Sequence, residues 1–332
     1  MGRKPLMACL HAIVAGATAL AVAACGGVPA TAPTEAQELE VVATTSILAN
    51  VVGRVVGDAG RVTPLMQVGT DPHAFQPSPA QVRLVEEADV VVTNGLGLEA
   101  SLLDALAAAE ERGTKVIRVA EAVDPLPYSA PQQEHAHDEH AGESEKTGSQ
   151  VEQDRLDPHF WQDPLRMLEA VRVIAAGLAA AVPAAADTIP GNAEAYARAV
   201  QDLHAEIEQT LAAVPPPNRK LVTNHETLDY FAARYGFEII GTVVPGGGTL
   251  AETSSQQLAE LAATIREVGV RTIFVETITS PRLAEALSQQ LGGQVEVVEL
   301  YTDSLGPEGS EASTYLDMMR TNARRIGGAL RT

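Results

Sequence analysis

The sequence contains only two cysteines, Cys9 and Cys25, among its 332 residues. Two cysteines cannot form the disulfide framework of a small secreted domain, so the fold has to depend on a hydrophobic core. Aromatic residues make up only 4% of the chain, against 45% for hydrophobic residues as a whole. We therefore predict a core built mainly from Ala, Val, Leu and Ile side chains.

Basic residues are also scarce, since 23 Lys and Arg stand against 43 Asp and Glu and give a formal net charge of −20. Proteins that bind DNA or RNA neutralise phosphates with clustered Lys and Arg. An acidic surface excludes nucleic acid as a partner and weakly attracts cations instead. The length fits two lobes of roughly 120 to 150 residues, each large enough for its own core.

Only the N-terminus carries a long hydrophobic run. A basic start precedes an uncharged apolar stretch over residues 6–20, and Val22-Ala23-Ala24-Cys25 follows it. This order is typical of a secretory signal, with plain secretion and a retained membrane anchor as the alternatives. Because the last four residues resemble a bacterial lipobox, we predict a signal peptide over residues 1–24, lipidation at Cys25 and a flexible tether over residues 25–38.

Short apolar strands alternate with longer helical stretches in two series along the rest of the chain. The first series has strands predicted over residues 41–45, 62–68, 90–94 and 116–119. The second series has strands predicted over residues 221–224, 238–244, 272–275 and 295–300. Alternation of this kind is typical of parallel α/β sheets, and the two series share their order. The sequence therefore predicts an α/β fold of two similar (β/α)₄ lobes.

A helical segment over residues 164–218 separates the two series. Its second half carries apolar residues at spacings of three and four, namely Tyr196, Val200, Leu203, Ile207 and Leu211. Such a stripe indicates a helix packed on one face, and a helix of about 23 residues is about 35 Å long. We predict a rigid connecting helix between an N-terminal lobe over residues 39–163 and a C-terminal lobe over residues 219–332.

An acidic loop with histidines interrupts the N-terminal lobe at about residues 130–156. It contains His135, His137 and His140 among Asp and Glu residues and is too polar to fold alone. Either these histidines collect metal ions at low affinity, or they are incidental to a solvated tether. Deletion of residues 134–145 distinguishes the two, because only a collector loop is needed for fast metal uptake at low concentration.

Three other histidines lie at loop or strand ends, where parallel α/β sheets place their ligand sites. His73 and His159 each follow an Asp-Pro pair, and His225 follows a predicted strand. One such histidine suits a surface or capping role, but three in equivalent positions favour a metal site. Imidazole is the commonest transition-metal ligand, and a carboxylate would complete a tetrahedral Zn²⁺ shell. Asp303, after the last strand, is the best-placed carboxylate.

These residues lie in motifs that resemble a known family. The motifs are Asp71-Pro72-His73, Asn94-Gly95-Leu96-Gly97-Leu98-Glu99, Asp157-Pro158-His159-Phe160-Trp161-Gln162-Asp163-Pro164, Asn224-His225-Glu226 and Thr302-Asp303-Ser304-Leu305-Gly306. Together they resemble the zinc and manganese solute-binding lipoproteins of bacterial ABC importers, the cluster A-I (ZnuA/TroA-like) family. The resemblance covers nearly all of the chain from about Val41 to the end.

The resemblance implies a metal site in the cleft between the lobes, with ligands at His73, His159, His225 and Asp303. It also implies a monomer outside the cytoplasm, lipid-anchored to the bacterial membrane, that delivers metal to an ABC permease and its ATPase. Members tuned to Mn²⁺ tend to have Glu at the third ligand position, where this chain has His225. Three nitrogens and one carboxylate suit Zn²⁺ better than the oxygen-preferring Mn²⁺, so Zn²⁺ is the expected cargo and Mn²⁺ the alternative.

Carboxylates near the ligands must orient each imidazole and fix its protonated nitrogen. The candidates within sequence reach are Asp71, Asp157, Glu226 and Glu276, although Glu276 is equally suited to cap a helix. Trp161, the only tryptophan, is expected to pack beside His159.

A zinc hydrolase is the rival class of protein. His225-Glu226 begins like the motif His-Glu-x-x-His, but Asp229 stands where the second histidine belongs. Four protein donors would also leave no open position for a catalytic water. We therefore expect a binding protein without enzymatic activity. An adhesin or an extracellular metallochaperone is a further alternative, although nothing in the sequence resembles a separate adhesive module.

Overall fold

Two four-stranded parallel sheets form the framework of the protein. The computed structural model describes residues 39–128, 156–182 and 187–331. The predicted signal peptide and tether, with Cys25, lie outside these residues and stay predictions. The same holds for the loop histidines His135, His137 and His140.

The N-terminal sheet has the strand order β2-β1-β3-β4, and all its neighbouring strands are parallel. Its elements in chain order are β1 (Leu39–Ala43), α1 (Ser46–Val56), β2 (Gly60–Pro64), α2 (Pro79–Glu87), β3 (Val90–Thr93), α3 (Leu103–Glu111) and β4 (Lys115–Arg118). Two helices then connect this sheet to the next, α4 (Pro164–Ala181) and α5 (Ile189–Leu211).

The C-terminal sheet repeats this arrangement with the order β6-β5-β7-β8, again with parallel neighbours. Its elements are β5 (Lys220–Thr223), α6 (Asp229–Tyr235), β6 (Glu238–Thr242), α7 (Ser255–Val268), β7 (Thr272–Glu276), α8 (Arg282–Gln290), β8 (Glu296–Leu300) and α9 (Tyr315–Leu330). The predicted fold of two α/β lobes is confirmed.

The two lobes start their equivalent helices in the same way. α2 and α7 each follow the second strand of their sheet, and each begins with a capping box. The Ser78 hydroxyl accepts a hydrogen bond from the backbone N–H of Gln81, whose side chain accepts one from the backbone N–H of Ser78. Ser254 and Gln257 repeat this exchange in α7. Both boxes satisfy backbone donors that a helix start leaves free.

Helices cover both faces of each sheet, as parallel sheets require. On one face of the N-terminal sheet, Val42, Val91 and Val116 pack with residues of α2 and α3. On the equivalent face of the C-terminal sheet, Val222 and Ile273 pack with residues of α7 and α8. The opposite faces of both sheets belong to one continuous core that includes α1, α4, α5 and α9.

The connecting helix α5 contacts elements from both lobes. Its 23 residues pack against α4, against α1 from the N-terminal lobe and against α9 from the C-terminal lobe. The five residues of the predicted stripe are all buried: Tyr196, Val200, Leu203, Ile207 and Leu211. At about 1.5 Å per residue the helix is about 35 Å long, so the predicted spine is present.

The ends of several strands differ from the predicted ones, and one helix was not predicted. β1 spans residues 39–43 and not 41–45, and β2 ends at Pro64, before the stretch 65–68 that was predicted to continue it. Helix α9 was not predicted at all. Within the described part of the chain, no helix is both long and apolar enough to cross a bilayer.

Candidate metal centre

Four side chains converge between the two lobes: His73, His159, His225 and Asp303. His73 lies in the loop between β2 and α2, and His159 directly precedes a 3₁₀ turn (Phe160–Gln162) that leads into α4. His225 and Asp303 follow the carboxyl ends of β5 and β8. These are the positions where parallel sheets form ligand sites. His73 is partly exposed, and the other three are buried.

The spacing of the donor atoms suits a single metal ion. One ligand atom from each residue lies within 4.8 Å of all the others. His73 Nε2 is 3.2 Å from His159 Nε2 and 3.6 Å from Asp303 Oδ2, which is itself 3.4 Å from His225 Nε2. Two donors of an ideal tetrahedron with bonds of about 2.0 Å are about 3.3 Å apart. The four groups are therefore already placed close to a tetrahedral shell.

Two of the histidines are positioned by the same local turn. In Asp71-Pro72-His73 and in Asp157-Pro158-His159, the aspartate Oδ1 accepts a hydrogen bond from the histidine backbone N–H at 2.9 Å. An Asx turn of this kind fixes the direction of the chain without regular secondary structure. The repeated sequence Asp-Pro-His thus produces the same backbone geometry at both places.

Carboxylates hold the rings of His159 and His225. His159 Nδ1 lies 2.6 Å from Asp157 Oδ1, and His225 Nδ1 is hydrogen-bonded to Glu276 Oε1. Each carboxylate is placed to accept a hydrogen bond from Nδ1, which directs Nε2 of both rings toward the other ligand atoms. Within the described residues, His225 Nε2 makes no hydrogen bond.

Asp303 is fixed by contacts on both sides of its loop. The Trp161 indole N–H and the Gln162 side chain donate to the carbonyl of Thr302, at 2.7 and 3.2 Å. On the other side, Ser304 Oγ accepts a hydrogen bond from the backbone N–H of Gly69 at 2.7 Å. The segment that follows His159 and a loop of the N-terminal lobe thus fix the position of Asp303 through its two neighbours in the chain.

Trp161 packs beside His159 as predicted. The two ring centroids are 5.2 Å apart in an edge-on arrangement, and only 3% of Trp161 is exposed. The sole tryptophan of the chain therefore lies against a proposed ligand.

A glycine-rich segment of the C-terminal lobe (residues 246–249) covers His73. A Cβ atom added at Gly248 would lie 3.4 Å from His73 Nδ1, so the segment is in van der Waals reach of the ring. Next to it, Thr249 Oγ1 donates a hydrogen bond of 2.5 Å to Asp71 Oδ2, and the Tyr128 hydroxyl donates to the carbonyl of Gly247 at 3.1 Å. These bonds join the two lobes directly above the site.

Burial and neighbouring charges shift the pKa values of the ligand side chains. Burial lowers the pKa of both His73 and His159, and the charge of His225 lowers it further. Burial also acts to lower the pKa of His225, but the Glu276 and Asp303 carboxylates outweigh it and raise that pKa to about 9. Burial raises the pKa of Asp303 to about 7. The rings of His73 and His159 are thus neutral at pH 7, whereas the ring of His225 carries a second proton and a positive charge.

The other two predicted supporting carboxylates do not contact a ligand ring. Asp71 bonds to the backbone of His73 and to Thr249. Glu226 accepts a hydrogen bond from the backbone N–H of Gly246, and burial raises its pKa to about 7.

The prediction missed two polar side chains close to the site. Thr227 Oγ1 donates a hydrogen bond of 3.1 Å to Asp303 Oδ1, and Thr249 reaches Asp71 from the opposite lobe. Thr227 stands two residues after His225, and this short spacing was the only available signal. Thr249 had no signal in the sequence.

Known proteins match both the sequence and the fold. A family model described as "Zinc-uptake complex component A periplasmic" matches residues 41–329. The manganese-binding lipoprotein MntA of Halalkalibacterium halodurans is 30% identical over 304 residues, which cover 92% of each chain. The manganese ABC transporter substrate-binding lipoprotein PsaA of Streptococcus pneumoniae is 27% identical over 293 residues, 88% of this chain and 89% of PsaA.

A solved structure matches as well. The periplasmic zinc-binding protein TroA of Treponema pallidum superposes with a TM-score of 0.75 at 26% identity, over 89% of this chain and 100% of TroA. The family that was predicted from the motifs is confirmed by these matches. The chain therefore belongs to the ZnuA family, which includes metal-binding proteins of ABC transporters.

Proposed function

We propose that this protein binds one Zn²⁺ ion outside the cytoplasm and delivers it to an ABC permease for import. The observation that carries the proposal is the convergence of three imidazoles and one carboxylate, with neighbouring donor atoms 3.2 to 3.6 Å apart. His73, His159, His225 and Asp303 would be the ligands. The protein is extracytoplasmic and is a binding protein rather than an enzyme, as its family membership shows.

The donor set favours Zn²⁺ over Mn²⁺. Zn²⁺ accepts four ligands in a tetrahedron and binds imidazole well, whereas Mn²⁺ prefers more ligands and more oxygen. Two of the imidazoles are already held by carboxylates in the orientation that exposes Nε2. A site prepared in this way loses little side-chain freedom when the ion enters.

Manganese is the second candidate because of the relatives. MntA and PsaA are both named as manganese-binding or manganese-transporting proteins, whereas TroA is named for zinc. At 26 to 30% identity these names do not transfer a metal to this chain. The choice between the two ions therefore rests on the four donors of this site.

Delivery is proposed to involve a permease with its ATPase, since PsaA is named as the substrate-binding lipoprotein of an ABC transporter. We further propose that Cys25 carries a lipid anchor and that the protein works as a monomer. The histidines His135, His137 and His140 would collect Zn²⁺ at low affinity and pass it to the site.

The transport function is tested by deleting the gene in its own host. The deletion strain should grow poorly when zinc is limiting and recover on added Zn²⁺ but not on added Mn²⁺. Rescue by Mn²⁺ alone would favour the second candidate. A defect in surface attachment that added zinc does not correct would favour an adhesin.

A further inference from the structure

We propose that Thr227 is a specificity-determining residue, because it holds Asp303 to a single metal-binding oxygen. This inference rests on the proposed function, in which Asp303 is a ligand. Thr227 would not touch the ion itself but would set how many oxygen atoms reach it.

The two oxygens of Asp303 have different surroundings. Oδ2 faces the histidines, 3.4 Å from His225 Nε2 and 3.6 Å from His73 Nε2, and makes no hydrogen bond within the described residues. Oδ1 accepts the hydrogen bond of 3.1 Å from Thr227 Oγ1. The carboxylate therefore offers one oxygen to the centre of the site and has the other one occupied.

Thr227 is itself firmly placed. Its side chain is buried, and its backbone N–H donates to the carbonyl of His225 at 3.0 Å. The hydroxyl of Thr223, the last residue of β5, donates to the same carbonyl at 2.8 Å. The turn that carries the ligand His225 thus also carries the hydroxyl that orients the ligand Asp303.

Asp303 has little freedom to rotate toward two-oxygen binding. The carbonyl of Thr302 is held by Trp161 and Gln162, and Ser304 is held by Gly69. A rotation that brought Oδ1 to the ion would break the hydrogen bond from Thr227. The buried hydroxyl of Thr227 would then lose Asp303 as its acceptor, which costs free energy.

The consequence concerns the choice of metal. With one oxygen from Asp303 the site supplies four donors, which satisfy Zn²⁺ but are too few for an ion that prefers six. With both oxygens it would supply five donors, two of them oxygen. Thr227 therefore disfavours Mn²⁺ without contacting it.

The test compares Thr227→Val, which has nearly the same shape without the hydroxyl, with Thr227→Ser, which keeps the hydroxyl. Co²⁺ serves as the probe, because its visible absorption is strong in a four-coordinate site and weak in sites of higher coordination. Affinities for Zn²⁺ and Mn²⁺ are measured on the same proteins. Thr227→Ala is the second variant, in case valine at this buried position prevents folding.

The wild type and Thr227→Ser should give the strong four-coordinate spectrum. Thr227→Val or Thr227→Ala should give a weaker spectrum, and the ratio of Zn²⁺ to Mn²⁺ affinity should fall by about tenfold. A hydroxyl-free variant with the wild-type spectrum and ratio overturns the inference, as does a wild type that is already five-coordinate. A wild type that binds no Zn²⁺ overturns the proposed function instead.

Discussion

His159 Nδ1 lies 2.6 Å from Asp157 Oδ1, and both side chains are fully buried. His73 ends the same Asp-Pro-His sequence, but there Asp71 accepts hydrogen bonds from the Thr249 hydroxyl and from the backbone of His73 and makes none with the ring. One motif thus serves two purposes: at Asp157 it orients a proposed ligand, and at Asp71 it connects the two lobes.

This difference gives a prediction with a matched control. Asp157→Asn should weaken Zn²⁺ binding by roughly 10- to 100-fold, because an amide no longer holds the His159 ring as a carboxylate does. Glu276→Gln should act in the same way through His225. Asp71→Asn keeps the oxygen that accepts from the backbone of His73 and should have a much smaller effect on equilibrium affinity. Competition with a chelator of known affinity measures all three. Equal losses in Asp157→Asn and Asp71→Asn would show that the ring contact is unimportant.

The protonation of His225 predicts how affinity depends on pH. Burial favours the neutral ring, but Glu276 and Asp303 raise its pKa to about 9. In the metal-free protein at pH 7, the His225 ring is therefore protonated on both nitrogens. Zn²⁺ binds the neutral imidazole, so the metal-free protein carries more protons than the loaded one, and affinity rises with pH. Between pH 7 and 9 the affinity should fall about tenfold per pH unit, with about one proton leaving per ion. Below pH 7 it should fall more steeply, because Asp303, whose pKa burial raises to about 7, must then also lose a proton.

Calorimetry in two buffers with different ionisation enthalpies counts the released protons. A Zn²⁺ affinity that stays constant between pH 6 and 8.5, with no proton release, would contradict this assignment of charge.

The hydrogen bond between Thr249 and Asp71 predicts a kinetic effect. It joins the lobes above His73, so its loss should let the site open more often. Thr249→Val should speed Zn²⁺ release by roughly 10- to 150-fold, since a hydrogen bond to a charged group contributes about 1.5 to 3 kcal/mol and each 1.4 kcal/mol is about tenfold. Thr253→Val is the control, because the Thr253 hydroxyl bonds to Val243 within the same lobe. Stopped-flow transfer of Zn²⁺ to a fluorescent chelator gives both rates. Identical rates in the two variants would mean that this bond does not limit opening.

Much of the fold and the four converging residues could be predicted from the sequence. The strands are short runs of β-branched residues, as in Val90–Thr93, and the spine helix has a regular apolar stripe. His73, His159, His225 and Asp303 each follow a strand or begin a turn, and parallel sheets bring such positions together. Local patterns were sufficient for these features.

The remaining features depend on contacts between distant residues. Thr227 meets Asp303 across 76 positions, and Thr249 meets Asp71 across 178, with no local pattern that connects them. Helix α9 has an apolar stripe of its own, with Met318, Met319, Ile326 and Leu330 buried, so the sequence did contain the signal for it. What no local pattern shows is that Asn322 on the same face bonds to the backbone of Tyr301.

Equilibrium titration with Zn²⁺ and Mn²⁺ in competition tests the central claim most directly. Wild-type protein should bind one Zn²⁺ per chain tightly, and an excess of Mn²⁺ should not displace it. His225→Ala should weaken Zn²⁺ binding by at least about 100-fold, the upper end of what loss of a supporting carboxylate costs. His204→Ala should bind like the wild type, because His204 lies on the spine helix and bonds to Tyr235. Tighter binding of Mn²⁺ than of Zn²⁺, or unchanged Zn²⁺ affinity in His225→Ala, would contradict the account.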